Sequence, residues 1–185
     1  MTGNIFFDVN RLKSCGKNVI IGKTVRIRYP ELVEIGDNVI IDDFTYISTK
    51  LKLDNHVHIS AGCKLIGGQQ ARIEMYEFST LAPNVVLSAG SDDYTSGIAT
   101  PMVGIEYKAN VKIGKIILNK HCIVGAGSVV LPDVTFGEGA CVGALSLANK
   151  NLDEYGLYAG IPAKKIKERN RNEILELERK FKNGK

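Results

Sequence analysis

Apolar residues recur at every sixth position along much of this chain. One run occupies Leu118, Val124, Val130, Phe136, Val142 and Ala148, and another occupies Ile35, Ile41, Ile47, Leu53, Ile59 and Leu65. Shorter runs with the same period begin at Cys15 and Met75. A small or β-branched residue usually follows four positions later. This period fits neither the 3.6-residue repeat of an α-helical face nor simple strand alternation.

The period predicts an all-β solenoid of about six triangular coils. A short strand can point its residues at +4 and +6 inward and then turn sharply, and three such units close one coil of about 18 residues. The repeat is interrupted after Ile27, Leu65 and Leu87, and grouping the units by threes places every interruption at the same corner. We expect Gly, Asn and Asp to supply the unusual backbone angles of the tight turns.

The longest interruption, residues 88–117, predicts a long loop at this corner. Loops of this length in a compact domain are usually functional or disordered. Because it leaves a corner, we expect it either to reach a neighbouring subunit and contribute to a site or to serve as a passive oligomerisation arm.

After Pro162, apolar residues at Ile166, Ile174, Leu177 and Phe181 fall on one stripe of a helix. We therefore expect residues 1–161 to form the repeat domain, with 88–117 extruded, and 162–185 to form a basic amphipathic helix. We expect this helix to cap the open end of the solenoid and to protect its strand edges.

Composition agrees with a thin β architecture. The 185 residues suit one domain, and 44% are hydrophobic although only 7% are aromatic and none is Trp. A narrow core of small aliphatic side chains explains that balance. The sequence contains neither an apolar run of membrane-spanning length nor the pattern of a secretion signal, so we expect a cytoplasmic protein without a membrane span.

The net charge of +4 is concentrated in the tail, where nine Lys or Arg oppose four Asp or Glu from Pro162 onwards. The total is too small to predict nucleic acid as a partner, and the basic tail indicates either a small anionic ligand or a solvated surface. The four cysteines are far apart without a CxxC pair, which predicts free thiols and no metal site.

Two segments near the C-terminus resemble a known family. GKIILNKHCIVGAGSVVLPDVTFGEGACVGA, followed by YAGIPAKKIKER, is similar to the C-terminal half of the sugar acetyltransferases among the hexapeptide-repeat acyltransferases. The resemblance covers about residues 15–168. It implies a left-handed parallel β-helix, a homotrimer with sites between subunits, and acetyl-CoA as co-substrate. The left hand rests on the resemblance alone.

The loop departs from the family at the general base. Galactoside and maltose acetyltransferases have a segment like TAGHP here, whose His activates the acceptor hydroxyl, whereas VLSAGSDDY places Ser91 at that position. Asp92 and Asp93 are the candidate replacements, with Asp93 preferred, because a carboxylate can accept a proton or bind a sugar amine. Capping of a tight SDD turn is the alternative role for either one.

The histidines provide further catalytic candidates. His56 and His121 occupy equivalent turn positions, so we expect them at one corner, two coils apart. His58 lies between two inward residues and should point outward from a flat face. His58 and His56 are second-rank candidates for a base at a subunit cleft, and a surface or interface role without chemistry is the alternative.

Candidate donor-binding residues lie in the last coils and the tail. Gly125, Ala126, Gly143 and Ala144 are small enough for a pantetheine arm to lie along the strand amides, although turn geometry also explains the glycines. Lys164 and Lys165 are suitable for nucleotide phosphates, and a charged helix surface is the alternative. By resemblance, GIPAKKIK helps to hold coenzyme A.

The resemblance therefore implies acetyl-CoA-dependent transfer to an amino or hydroxyl group of a sugar, for which the sequence itself supplies the scaffold, the loop and the basic tail. The SDD loop resembles those of acetyltransferases for surface-polysaccharide sugars, and this resemblance implies a nucleotide-linked deoxyamino sugar as acceptor, with lipopolysaccharide synthesis as the setting. An amine is favoured over a hydroxyl because the usual base is missing and an amine needs a strong base less. A polysaccharide or galactoside-type O-acetyltransferase is the alternative. More remote are a γ-type carbonic anhydrase, whose three-histidine zinc pattern the three histidines here do not resemble, and a non-catalytic solenoid.

Overall fold

A computed structural model describes residues 3–184, in which parallel strands form a solenoid with three faces. Face A comprises Ser14–Cys15, Val33–Ile35, the second half of Tyr46–Leu53, the second half of Lys64–Met75, Lys115–Leu118 and Thr135–Phe136. Face B comprises Ile20–Ile21, Ile40–Ile41, His58–Ile59, Thr80–Leu81, Ile123–Val124, Cys141–Val142 and Gly156–Ala159. Face C comprises Arg26–Ile27, the first halves of Tyr46–Leu53 and Lys64–Met75, Val86–Ser88, Val129–Val130 and Leu147–Ala148.

The predicted solenoid is confirmed, and it extends beyond the six regular coils. A bridge from Phe136 to Leu152 adds another level to face A, and the strand Gly156–Ala159 adds another to face B. The six-residue period did not predict this last coil, because its first inward residue, Leu152, follows Ala148 by four residues and not by six. Tyr158 then occupies the inward position after Leu152.

Inward-pointing side chains form one continuous hydrophobic core along the solenoid. The stack of face B shows the pattern, with Ile21, Ile41, Ile59, Leu81 and Val124 all at most 1% exposed. Fully burying one such side chain stabilises the fold by about 1.5–3 kcal/mol. Phe136 is buried in the same core, as is Tyr158 at the last coil, so the narrow interior still accommodates a few large rings.

The corners differ in part from the expected turn chemistry. Asn18, Asn38 and Asp133 adopt positive φ as predicted. The prediction that Gly, Asn and Asp supply these angles is wrong at several bulky residues, where the packing of neighbouring coils fixes the backbone instead. These residues are Phe44, His56, Phe78, His121, Leu145 and Tyr155.

The insertions lie at the corner between faces C and A, as predicted. The long insertion is shorter than expected, because Val86–Ser88 still pairs on face C and Lys115–Leu118 already pairs on face A. We call residues 89–114 the arm. Its root is an antiparallel pair of Gly90–Ser91 with Lys112–Ile113, and it also contains a 3₁₀ helix at Ile105–Tyr107.

The tail differs from the predicted helix over 162–185. Lys164–Glu168 is a strand antiparallel to Gly156–Ala159, and the helix spans only Arg171–Lys182. The prediction that the helix begins at Pro162 is wrong because the last coil leaves a strand edge whose backbone groups the basic segment satisfies. Asn170 caps the helix by accepting a hydrogen bond from Glu173 N.

The helix lies along the corner between faces A and B rather than across the open end, so its predicted capping role is also wrong. Its side chains contact residues of several coils there, including His56 and Glu77. Two further 3₁₀ turns occur at Val9–Arg11 and Pro30–Leu32. No disulfide joins any of the four cysteines within residues 3–184. None of the helices within residues 3–184 has the length and hydropathy to span a membrane.

Candidate functional site

Ser91 and Asp92 lie at the root of the arm. Ser91 Oγ donates a hydrogen bond to the backbone oxygen of Asp92 at 2.9 Å. Asp92 Oδ1 accepts a hydrogen bond from Lys108 Nζ at 3.2 Å, and only 15% of the Lys108 side chain is exposed. The two sides of the arm are thus tied together by an ion pair next to Asp93.

Asp93 is held as an anion by its own turn. Its Oδ1 accepts hydrogen bonds from the Thr95 hydroxyl at 2.6 Å and from Thr95 N at 2.8 Å, and its Oδ2 accepts one from Ser96 Oγ at 3.1 Å. The Thr95 hydroxyl, then the Thr95 N–H and Ser96, lower the pKa of Asp93 to about 2. A carboxylate with so low a pKa is a weak base, and it is better suited to binding an amine than to removing its proton.

His58 points outward from face B, as predicted. Its Nε2 lies 2.9 Å from Oδ2 of Asp42, and both side chains are 44% exposed. A carboxylate at this distance orients an imidazole, which is the arrangement of a positioned base. Within residues 3–184, no hydrogen bond or ion pair joins His58 to the arm, which leaves the solenoid at the corner opposite face B.

His56 is part of an aromatic stack beside the C-terminal helix. The His56 and Phe78 rings are 5.1 Å apart, the Phe78 and His121 rings are 5.2 Å apart, and Phe181 contacts His56 edge-on. The predicted shared corner of His56 and His121, two coils apart, is confirmed. The stack forms the surface on which the C-terminal helix packs.

Glu178 of that helix binds the same corner. It accepts hydrogen bonds from Lys120, from Lys182 at 2.9 Å and from His121 Nε2 at 2.8 Å. Burial alone would raise the pKa of Glu178, but the bonds from Lys120, Lys182 and His121 lower it to about 2. Sequence reasoning missed Phe78 and Glu178, although Phe78 occupies the turn position that His56 and His121 share.

The candidate donor residues lie at the corner between faces B and C. A Cβ on Gly125 would come within 2.4 Å of Ala144 N, so the close approach of two coils requires glycine there. A Cβ on Gly143 would meet nothing nearer than Ala159 Cβ at 3.4 Å. The oxygen of Ala126 accepts a hydrogen bond from Leu145 N, so this corner is held by backbone contacts. The close approach of the coils explains Gly125, whereas a Cβ on Gly143 would make only ordinary van der Waals contacts.

The two candidate lysines lie on the exposed final strand and differ in their partners. Lys165 Nζ is 2.7 Å from Glu168 and 3.6 Å from Asp153. Lys164 takes part in no ion pair within the described part of the chain, so it is the more available cation for a phosphate. No group of three or more His, Cys, Asp or Glu in that part is arranged to hold a metal ion.

Comparison with known proteins first defines the class. No protein-family model matches the chain. Over 175 residues the chain is 35% identical to dTDP-4-amino-4,6-dideoxy-D-glucose acyltransferase of Escherichia coli, covering 92% of this chain and 88% of the relative. A hexapeptide-repeat acetyltransferase of Vibrio cholerae, 15% identical with a TM-score of 0.57, shares the fold. The chain therefore belongs to the hexapeptide-repeat sugar acyltransferases, as the sequence predicts.

A second relative is similar over nearly the whole structure. AntD, an N-acyltransferase from Bacillus cereus, is 40% identical with a TM-score of 0.90, and the match covers 98% of each chain. AntD was solved in complex with dTDP and 3-hydroxybutyryl-CoA. A single-residue variant of AntD was solved with dTDP-4-amino-4,6-dideoxyglucose and coenzyme A.

Proposed function

We propose that this chain transfers an acyl group from an acyl-CoA to the 4-amino group of a dTDP-linked 4-amino-4,6-dideoxyhexose. The observation that carries the proposal is the structural match to the N-acyltransferase AntD. This match has a TM-score of 0.90 and covers 98% of this chain. The dTDP-linked deoxyamino sugar in the AntD complex supports the amine acceptor and coenzyme A supports the donor. O-acetylation remains the alternative predicted from the sequence.

The proposed reaction is a direct acyl transfer that uses neither a metal ion nor a redox group. The unprotonated amine attacks the thioester carbonyl, a C–N bond forms, the C–S bond breaks, and the amine proton accompanies the release of the coenzyme A thiol. We assign Asp93 to bind and orient the amine, since a carboxylate with a pKa of about 2 stays ionised at neutral pH. Asp92, tied to Lys108, positions that turn.

We further propose a homotrimer in which the arm of one subunit reaches face B of its neighbour. In one chain the arm and His58 lie on opposite sides of the solenoid. The arm exposes Tyr94, Met102 and Ile105, and face B exposes Ile20 and Ile40, so both surfaces offer apolar area to bury. Such packing brings the His58–Asp42 pair to Asp93, where His58 accepts the amine proton and passes it to the departing thiolate of coenzyme A.

For the donor, we propose that coenzyme A lies along the corner of Gly125, Ala126, Gly143 and Ala144. The small residues of this corner suit a pantetheine arm, and Lys164, unlike Lys165, has no ion-pair partner among the described residues and is available for a phosphate. Acetyl-CoA is the predicted donor. Because AntD was solved with 3-hydroxybutyryl-CoA, a donor with this longer acyl group should be tested beside it.

We place this reaction in the cytoplasm, since the nucleotide sugar and acyl-CoA are both charged molecules that do not cross membranes freely. The acylated sugar would then serve surface polysaccharide synthesis, including that of lipopolysaccharide. This setting follows from the proposed substrates.

A thiol-release assay with matched acceptors tests the proposal. The protein is incubated with acetyl-CoA or 3-hydroxybutyryl-CoA and either dTDP-4-amino-4,6-dideoxyglucose or dTDP-6-deoxyglucose, which has a hydroxyl in place of the amine. We expect release only with the amine, at one thiol per acylated sugar. Equal release with the hydroxyl compound would support the O-acetyltransferase, and no release with either would refute the proposal.

A further inference from the structure

Three cationic side chains lie side by side on face A. Lys50, Arg72 and Lys115 are in register on three neighbouring parallel strands. The residue that follows each of them is buried in the core, so all three cations point outward. Neighbouring strands are about 4.8 Å apart, and like charges directly opposite each other destabilise a sheet. A row of this kind has an electrostatic cost in the absence of an anion.

One carboxylate compensates part of that charge. Glu74 is 5% exposed, and its Oε1 lies 2.6 Å from Arg72 Nε and 3.2 Å from Lys115 Nζ. Its Oε2 accepts a hydrogen bond from Tyr76 OH at 3.1 Å. Lys50 forms no ion pair with any residue that the structure describes. The row therefore keeps an excess of positive charge around one buried anion.

The row continues into a groove on the same face. In this groove cations outnumber carboxylates, and its charged lining residues are Lys13, Lys50, Lys52, Arg72, Glu31 and Glu34. Lys13 pairs with Glu34 at 2.9 Å, and Lys52 pairs with Asp54, which lies outside the groove. Arg72 and Lys50 remain the cations best placed for an added anion. A guanidinium beside an ammonium suits phosphate oxygens, which accept several charge-assisted hydrogen bonds at once.

We propose that this groove binds the diphosphate of a nucleotide substrate, and the identity of the nucleotide rests on the proposed function. The groove borders the root of the arm, since Arg72 N donates a hydrogen bond to Gly114 O at 3.2 Å. A diphosphate held here places the remainder of the nucleotide next to the arm that carries Asp92 and Asp93. Both dTDP and coenzyme A contain a diphosphate. Because coenzyme A is proposed to lie at the corner between faces B and C, dTDP is the expected ligand of this groove, and the experiment separates the two.

The test is calorimetric titration of the full-length protein with dTDP, coenzyme A and inorganic pyrophosphate at two salt concentrations. We expect Lys50→Met to raise the Kd of dTDP at least about tenfold and to reduce the salt dependence of that Kd. Arg72→Lys, which keeps a charge beside Glu74 but loses the planar fork, should also raise the Kd. Lys17→Met, on an exposed corner of the first coil, is the matched control and should change the Kd less than about twofold.

Thermal unfolding separates this role from a structural one. Removing a repelled charge should leave the Tm of Lys50→Met unchanged or slightly higher, while its Tm increase with nucleotide is lost. An unchanged Kd in both variants, or a wild-type protein that binds none of the three ligands, would overturn the proposal. If the wild-type protein binds dTDP through Lys50 yet does not acylate the amine, the proposed function is refuted while the groove is still supported as a diphosphate-binding site.

Discussion

At the scale of single residues, Asp93 shows how a turn can define a chemical role. Its three hydrogen bonds fit the predicted capping of the SDD turn, and the same bonds keep the carboxylate ionised. Turn capping and amine binding are therefore compatible at this position. Asp92 has a separate partner in Lys108, so the two neighbouring carboxylates can be tested independently.

We predict that Asp93→Asn lowers kcat about 100-fold, because the neutral amide no longer attracts and orients the acceptor amine. Asp92→Asn, which can still accept a hydrogen bond from Lys108, is the matched control and should lower kcat less than about tenfold. Steady-state thiol release measures both.

The pH profile provides a further check on Asp93. A carboxyl with a pKa of about 2 is fully ionised above about pH 4, so its titration should not appear in kcat/KM between pH 5 and 9. A limb in this range that disappears in Asp93→Asn would contradict the assigned role.

At the scale of elements, the two corner glycines separate turn geometry from ligand binding. We predict that Gly125→Ala destabilises the fold by about 1–3 kcal/mol, because its Cβ would overlap backbone atoms of the next coil. Gly143→Ala, whose Cβ would lie 3.4 Å from the nearest atom, should change stability by less than about 1 kcal/mol.

Thermal unfolding and acetyl-CoA titration measure the two glycine variants. A Gly143→Ala protein of normal Tm but weaker acetyl-CoA binding would agree with a donor at this corner. Normal stability of Gly125→Ala would refute the steric account of that turn.

The C-terminal helix gives a second prediction at this scale. Glu178→Gln should destabilise the docked helix by about 1–2 kcal/mol, because Lys120, Lys182 and His121 lose a buried anionic partner. Glu176→Gln, which removes only an exposed contact with Lys180, is the control. Limited proteolysis after Arg179 and thermal unfolding report the difference, and equal behaviour of the two variants would contradict the docking role.

The sign of the pH effect follows from the lowered pKa of Glu178. Its stabilising contribution is fully present above the ordinary value of 4.5 and is lost as pH falls towards about 2. The wild-type protein should therefore lose helix protection across this window, whereas Glu178→Gln should show a smaller change.

At the scale of the whole molecule, the six-residue period made two features predictable: the three faces, and the single corner at which all the insertions lie. It placed Ile21 and Ile59 in one inward stack and His56 and His121 at one corner, because each coil repeats the same register. The strand Lys164–Glu168 was not predictable in this way, since its pairing depends on the open edge of the last coil and not on its own pattern. Lys108 and its contact with Asp92 also lie outside the repeat, where no period relates distant residues.

The proposed trimer makes a prediction about shared sites. Light scattering should give about three times the 20.2 kDa of one chain. Asp93→Asn and His58→Ala should each be nearly inactive, and mixed trimers refolded from both should recover part of the activity, because some interfaces then contain both intact residues. No recovery in trimers shown to be mixed would contradict a site shared between the arm and face B.

The central claim is that the acyl group is transferred to a sugar nitrogen. Its most direct test is NMR of the product formed from acetyl-CoA labelled with ¹³C at the carbonyl and dTDP-4-amino-4,6-dideoxyglucose labelled with ¹⁵N at the amine. We predict a one-bond ¹³C–¹⁵N coupling, which shows an amide at C4. A labelled ester on a sugar hydroxyl, without that coupling, would contradict the account.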